Sequence, residues 1–88
     1  MIVIVTKQFS KDVQKELNKS LQLQLAEIIE VLQKANSLQE IANIKKLKGY
    51  KKAYRIKLDD FRIGFILEEN KIQLSKVLNR KEIYRFFP

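Results

Sequence analysis

The apolar period of this chain changes at Ile44, and that change does most to limit the folds it can adopt. Upstream, Phe9, Val13 and Leu17 recur every four residues and form one stripe of a helix. A polar break, Asn18 to Ser20, follows, with Ser20 the expected N-cap. Leu21, Leu25, Ile28, Ile29 and Leu32 then form a second stripe that ends near Ala35. Two stripes joined by so short a break predict an antiparallel helical hairpin. Asn36 to Asn43 is a connection, with one helical turn around Leu38.

Downstream, Tyr54, Ile56 and Leu58 alternate with Arg55 and Lys57, the two-residue period of a half-buried strand. Asp59-Asp60 marks a tight turn. Phe61, Ile63, Phe65 and Leu67 then alternate with Arg62, Gly64 and Ile66 as the next strand. A second turn spans Glu68 to Lys71, with Asn70 suited to a positive φ, and Ile72 to Leu78 is the last strand. Arg80 to Phe87 reads as a short closing helix or turn. The β-branched run ending at Val5 reads as a first strand, and Thr6 can cap the helix after it.

These elements predict an α+β fold: two N-terminal helices packed on one face of a four-stranded antiparallel sheet, with a short C-terminal helix. Each layer has one apolar side to bury, so the helices cover one sheet face. Tyr54, Ile56, Ile63, Phe65, Val13, Leu17, Leu25 and Ile29 are expected between the layers. Arg55, Lys57 and Arg62 are expected on the other face. With 88 residues there is room for one domain with a modest core.

Composition narrows the chemistry. The net charge of +8 points to an anionic partner, nucleic acid first and an acidic protein face second. A membrane surface ranks below both, because the bases do not lie along one amphipathic helix. No cysteine is present for disulfide or thiol chemistry, and no histidine for the usual general base. A zinc site of Cys and His is therefore excluded. The apolar run at the N-terminus is too short for a signal peptide or a membrane span, so the cytoplasm is the expected compartment. No cofactor is expected.

The bases are concentrated. Between Ile44 and Leu58 stand Lys45, Lys46, Lys48, Lys51, Lys52, Arg55 and Lys57, with no acid among them. Arg62, Lys76, Arg80, Lys81 and Arg85 follow. Arg55 and Lys57 are two apart on one strand and leave the same face. A hairpin about Asp59-Asp60 brings Arg62 close to one or the other. Such a patch is either a solvated sheet face or a phosphate-binding site, which arginine grips in bidentate fashion. Arg80 and Tyr84 lie four apart, on one side of a helical turn. Tyr84 could stack on a base, donate a hydrogen bond or lose its proton more readily beside cations. Alternatively it packs with Ile83 and Phe87 to close the core. The carboxylate pairs Asp59-Asp60 and Glu68-Glu69 sit at turns, where a turn role outweighs metal binding. No metal site is expected.

Taken in order, Lys46-Leu-Lys-Gly49, Tyr54-Arg-Ile-Lys-Leu58, Phe61-Arg-Ile-Gly-Phe65, Val77-Leu-Asn-Arg-Lys-Glu-Ile-Tyr84 and Phe86-Phe-Pro88 resemble the RelE/ParE superfamily of bacterial and archaeal toxins, and most of all its RelE branch. The resemblance covers essentially the whole chain. It implies a compact α/β domain with two helices against a four-stranded antiparallel sheet. It also implies ribosome-dependent endonucleolytic cleavage of messenger RNA by a basic cluster and a C-terminal tyrosine. By motif, the catalytic set is Arg55, Lys57, Arg62, Arg80 and Tyr84. Lys45, Lys46, Lys48, Lys51, Lys52, Lys76 and Lys81 form the surrounding RNA-binding surface. Some relatives use a histidine or glutamate as base. This chain has no histidine, and Glu82 is only a weak substitute.

The chemistry suits that inventory, because RNA carries its own nucleophile in the 2′-hydroxyl. Attack on the adjacent phosphate gives a 2′,3′-cyclic phosphate, and cations can stabilise the added charge without a metal. Arg62 and Arg80 are assigned to the phosphate and leaving group, Lys57 to base or charge stabilisation, Arg55 to orientation and Tyr84 to a base contact. Which residue takes the proton stays open at this point. The implied partners are the ribosome, the message and an acidic antitoxin, with operator DNA bound only through the antitoxin complex. Two other functions share the fold: a ParE-type gyrase inhibitor that cleaves nothing, and a non-catalytic RNA-binding module.

Overall fold

Thr6 both ends the first strand and starts the first helix. Its hydroxyl accepts from the Phe9 N–H at 3.1 Å and donates to the Leu74 carbonyl at 3.0 Å. A computed structural model describes residues 1–88, in the order β1 (Ile2–Val5), α1 (Lys7–Glu16), α2 (Lys19–Lys34), a 3-10 turn (Leu38–Glu40), β2 (Ile44–Lys46), β3 (Ala53–Leu58), β4 (Phe61–Glu68), β5 (Lys71–Asn79) and α3 (Ile83–Phe86). Asn18, and not Ser20, caps α2: its Oδ1 accepts from the Leu21 N–H at 2.9 Å. At the other end of α2 the α-amino group of Met1 donates to the carbonyls of Leu32, Gln33 and Ala35. That puts a positive charge on the negative end of the helix dipole.

The layers are those expected, with two differences in the sheet. It has five strands in the order β1-β5-β4-β3-β2, because Ile44–Lys46 adds an edge strand antiparallel to β3. It is also mixed, since β1 pairs with β5 in parallel, from Ile2↔Lys71 to Val5↔Leu74. The three antiparallel pairings, β2–β3, β3–β4 and β4–β5, make up the rest. Helix α1 lies against β5, and α2 reaches both β1 and β3.

The predicted register holds. Ile56, Ile63, Phe65, Leu17 and Leu25 are buried between helices and sheet, and Tyr54, Val13 and Ile29 pack half-buried at the margin. The Tyr54 and Phe65 rings stack at 5.4 Å. A bulge interrupts the β4–β5 ladder: Gly64 faces Lys76 but Phe65 faces Leu74, so Ser75 is the extra residue. Beside it the Val77 N–H donates to Asp12 Oδ2 at 3.0 Å, tying α1 to the irregular strand. At the β4–β5 turn the left-handed residue is Glu69 (φ 58°), where the sequence favoured Asn70.

The second sheet face has its own small core. Leu47, Ala53, Ile83 and Phe87 are buried there, with Ile66 and Leu78 packed against them. α3 therefore closes the face opposite the long helices, and no buried polar or charged residue interrupts either core. No helix is long and apolar enough to cross a membrane.

Candidate active site

The ladder register sets out the cations in rows. Directly opposed residues share a face, so Lys45, Arg55, Gly64 and Lys76 form one row across β2, β3, β4 and β5. Lys57, Arg62 and Leu78 form the next row on that face. This is the face that carries α3, opposite the long helices.

Backbone contacts bring the remaining members in. The Arg80 N–H donates to the Asp60 carbonyl at 2.9 Å, which ties the end of β5 to the β3–β4 turn. Arg80 lies in the turn before α3, so it meets the site through Asp60 and does not share a helical turn with Tyr84. Ile83 and Phe87 are anchored in the second core, while Tyr84 between them remains 61 % exposed. Tyr84 does not close the core; its two neighbours do.

Arg62 is held by its own hairpin: Nη1 donates to the carbonyls of Asp59 and Phe61, each at 2.8 Å. Asp59 takes a left-handed φ of 54° in that turn. Burial lowers the pKa of Arg62 from its ordinary value, and the charges of Arg55 and Arg80 lower it further. Arg55 donates through Nη1 to the Asn43 carbonyl at 3.3 Å. Its Nε is buried and donates to nothing. An unpaired buried donor is costly, and an anionic oxygen would satisfy it.

Tyr84 feels the same cluster. The Arg55 guanidinium, a ready donor to the phenolate, pulls the phenol's pKa below its ordinary value. Partial burial opposes that shift, and the charges of Arg55, Lys45 and Arg62 add to it. Arg55, Lys45 and Arg62 are thus within electrostatic reach of Tyr84, and Arg55 and Arg80 within reach of Arg62. Lys45 joins through its place opposite Arg55 on β2, a strand too short for the sequence pattern to reveal.

The other predicted cations are spread more widely. Lys57 is exposed opposite Arg62, and with Asn43 and Asp59 it lines a shallow hollow. Lys76 lies on the site face opposite Gly64. Lys46 is paired with Tyr54 and shares its face, the side of the long helices. Lys48, Lys51 and Lys52 occupy the β2–β3 turn, and Lys52 is engaged by Glu68 at 3.1 Å. Lys81 is exposed in the turn before α3. Asp59-Asp60 and Glu68-Glu69 serve as turns, and no group of three or more His, Cys, Asp or Glu converges. None of the four surface hollows is lined by Arg55, Arg62, Arg80 or Tyr84. The site is an open cationic face, a shape that suits a polymer better than a small molecule.

Two helices on one side of this sheet, with a cationic cluster and a tyrosine on the other, place the chain in the RelE/ParE superfamily of toxins, on its RelE-like branch. It is 39 % identical to Toxin RelE3 of Methanocaldococcus jannaschii, over the full length of both. Among solved structures it resembles a chain of the RelB–RelE antitoxin–toxin complex from Methanococcus jannaschii, with 37 % identity and a TM-score of 0.80. That match covers 97 % of this chain and 99 % of the other. A chain of the archaeal RelE–RelB complex from Pyrococcus horikoshii matches at 25 % identity and a TM-score of 0.74, over 90 % and 93 %. No protein-family model matches the chain.

Proposed function

We propose that this toxin is a ribosome-dependent endoribonuclease that cleaves messenger RNA in the cytoplasm and is held in check by an antitoxin. The observation that carries the reading is the gathering of Lys45, Arg55, Arg62 and Arg80 on one open sheet face beside Tyr84, whose pKa Arg55, Lys45 and Arg62 lower. A gyrase inhibitor has no use for a tyrosine tuned toward its phenolate among cations. A passive RNA-binding module has none either.

The reaction follows from the groups present. The Tyr84 phenolate takes the proton of the 2′-hydroxyl, and the 2′-oxygen attacks the neighbouring phosphorus. The bond from phosphorus to the 5′-oxygen breaks, leaving a 2′,3′-cyclic phosphate. The departing 5′-oxygen takes a proton from solvent. Arg62, fixed by two carbonyls, and Arg80 stabilise the charge that gathers on phosphorus's oxygens. Arg55 adds positive charge beside the phosphate and favours the phenolate of Tyr84. Lys57 adds positive charge at the edge, and the exchange of proton and charge requires no metal.

The antitoxin must meet this face with carboxylates, because burying these cations unpaired would be costly. That such a partner exists is supported by the two archaeal relatives, each a member of an antitoxin–toxin complex. The test is primer extension on a translated message, with and without the purified toxin. New stops that require ribosomes are expected. A toxic protein that produced no stops, while gyrase activity fell, would overturn the nuclease reading.

A further inference from the structure

The β2–β3 connection lies outside the cluster around Tyr84, and it is tied down at its base. Leu47 at its start is buried in the second core, beside Ile83 and Phe87. Its N–H donates to the Ala53 carbonyl at 2.8 Å, and the Tyr50 N–H donates back to the Leu47 carbonyl at 3.3 Å. Gly49 takes a φ of 88°, open to glycine and rare for other residues, and so allows the tight reversal. The result is a closed turn anchored at its base, with the Tyr50 ring standing out at 52 % exposure.

Its surroundings are strongly positive. Lys48 and Lys51 flank Tyr50 and make no ion pair, while Lys52 beyond them is engaged by Glu68. Tyr50 thus stands as an exposed aromatic ring between unpaired cations. This is the arrangement that binds single-stranded nucleic acid, with the ring stacking on a base and the cations tracking the phosphates. The turn lies at the end of the sheet away from the Asp59-Asp60 hairpin. The Leu47 and Ala53 pair is two residues, or about 7 Å, from the row of Lys45 and Arg55.

We infer that the Lys48–Lys51 turn is a second RNA-binding site, in which Tyr50 stacks on an unpaired base of an RNA strand. This rests on the RNA-cleaving reading of the neighbouring face and deepens it: Lys48 and Lys51, expected to bind RNA, act with Tyr50 to hold the strand outside the reacting bond. The shared packing of Leu47 with Ile83 and Phe87 fixes the turn relative to Tyr84, so base capture at one place sets the strand's register at the other.

The chain has no tryptophan, so Tyr50→Trp introduces a single indole reporter. Titrating this variant with an oligouridylate at low salt should quench its emission through stacking. Tyr50→Ala should weaken binding of that oligonucleotide about tenfold, and Tyr50→Phe should retain it. The salt dependence should divide the roles. Lys48→Ala with Lys51→Ala should flatten the slope of log affinity against log salt by about 1.4, and Tyr50→Ala should leave it unchanged. Polyglutamate, anionic but without bases, should not quench. Equal quenching by polyglutamate would overturn the assignment in favour of an acidic protein partner. Intact cleavage by the parent toxin with no quenching, and with Tyr50→Ala binding as tightly as the parent, would also overturn it. Quenching without any cleavage by the parent would leave this site standing and remove the nuclease reading instead.

Discussion

The ring of Phe87 rests on Gly64. A Cβ at position 64 would lie 2.7 to 3.0 Å from three of its ring carbons, well inside contact distance. Gly64 stands between Arg55 and Lys76 in the row of site cations and contributes no side chain there. The gap it leaves is where α3 docks, and that docking holds Tyr84 beside Arg55. Gly64→Ala is therefore expected to unseat Phe87 at a cost of about 1–3 kcal/mol, the scale for overpacking. Message cleavage should fall while the main core stays folded. Phe87→Leu in the same chain, which frees room for the new methyl, should restore part of the rate. Full activity of Gly64→Ala alone would show that the docking does not position the tyrosine.

Arg62 and Arg80 are expected to account for most of the phosphate's stabilisation. Replacing either with alanine should lower the single-turnover cleavage rate by roughly 10²-fold, the scale for losing a preorganised donor. Arg80 is exposed, so its loss should change stability by less than about 0.5 kcal/mol. Arg62→Lys should recover little, because one ammonium cannot both hold the two hairpin carbonyls and present a planar fork to phosphate.

The pH profile reports on the pair Arg55 and Tyr84. In the proposed reaction the phenolate is the active form, so the rate should rise with pH and level off above the folded pKa of Tyr84. That inflection should lie below the ordinary phenol value of about 10, because Arg55 favours the phenolate. Arg55→Gln should move it upward, and Tyr84→Phe should remove it. A profile that kept its inflection in Tyr84→Phe would assign the proton transfer elsewhere, with Lys57 the next group to examine.

Asp12 supports the fold and not the chemistry. Its carboxylate accepts the Val77 N–H beside the bulge, on the face of the long helices. Asp12→Ala should cost about 1.5–3 kcal/mol, the range for a hydrogen bond to a charged group, read as a shift in the urea midpoint. The folded variant should cleave like the parent, in contrast to Gly64→Ala.

These residues also show what the sequence could convey. The helical stripes, the Asp59-Asp60 hairpin and the common face of Arg55, Lys57 and Arg62 depend on local periodicity, and all were legible. The parallel pairing of β1 with β5 was not, because a strand's own residues do not name its neighbour. The three residues of β2 are too few to establish a period. The docking of α3 left a signal that alternation alone did not decode. Ala53, Gly64, Ile66 and Leu78 are small or apolar on a face that otherwise carries cations, and together they form the seat for Ile83 and Phe87. The N-cap fell on Asn18 and not Ser20, although both residue types can accept the capping bond.

In the proposed reaction the RNA attacks itself, with the cationic face lowering the barrier. This claim is tested most directly by placing one 2′-deoxynucleotide at the cleaved position of a message programmed into ribosomes. The substitution removes the nucleophile and leaves the phosphate, the base and the message's path unchanged. The prediction is that cleavage at that phosphodiester stops while toxin binding persists. Continued cleavage at the deoxy position would contradict the claim, because the attacking oxygen would then have to come from water.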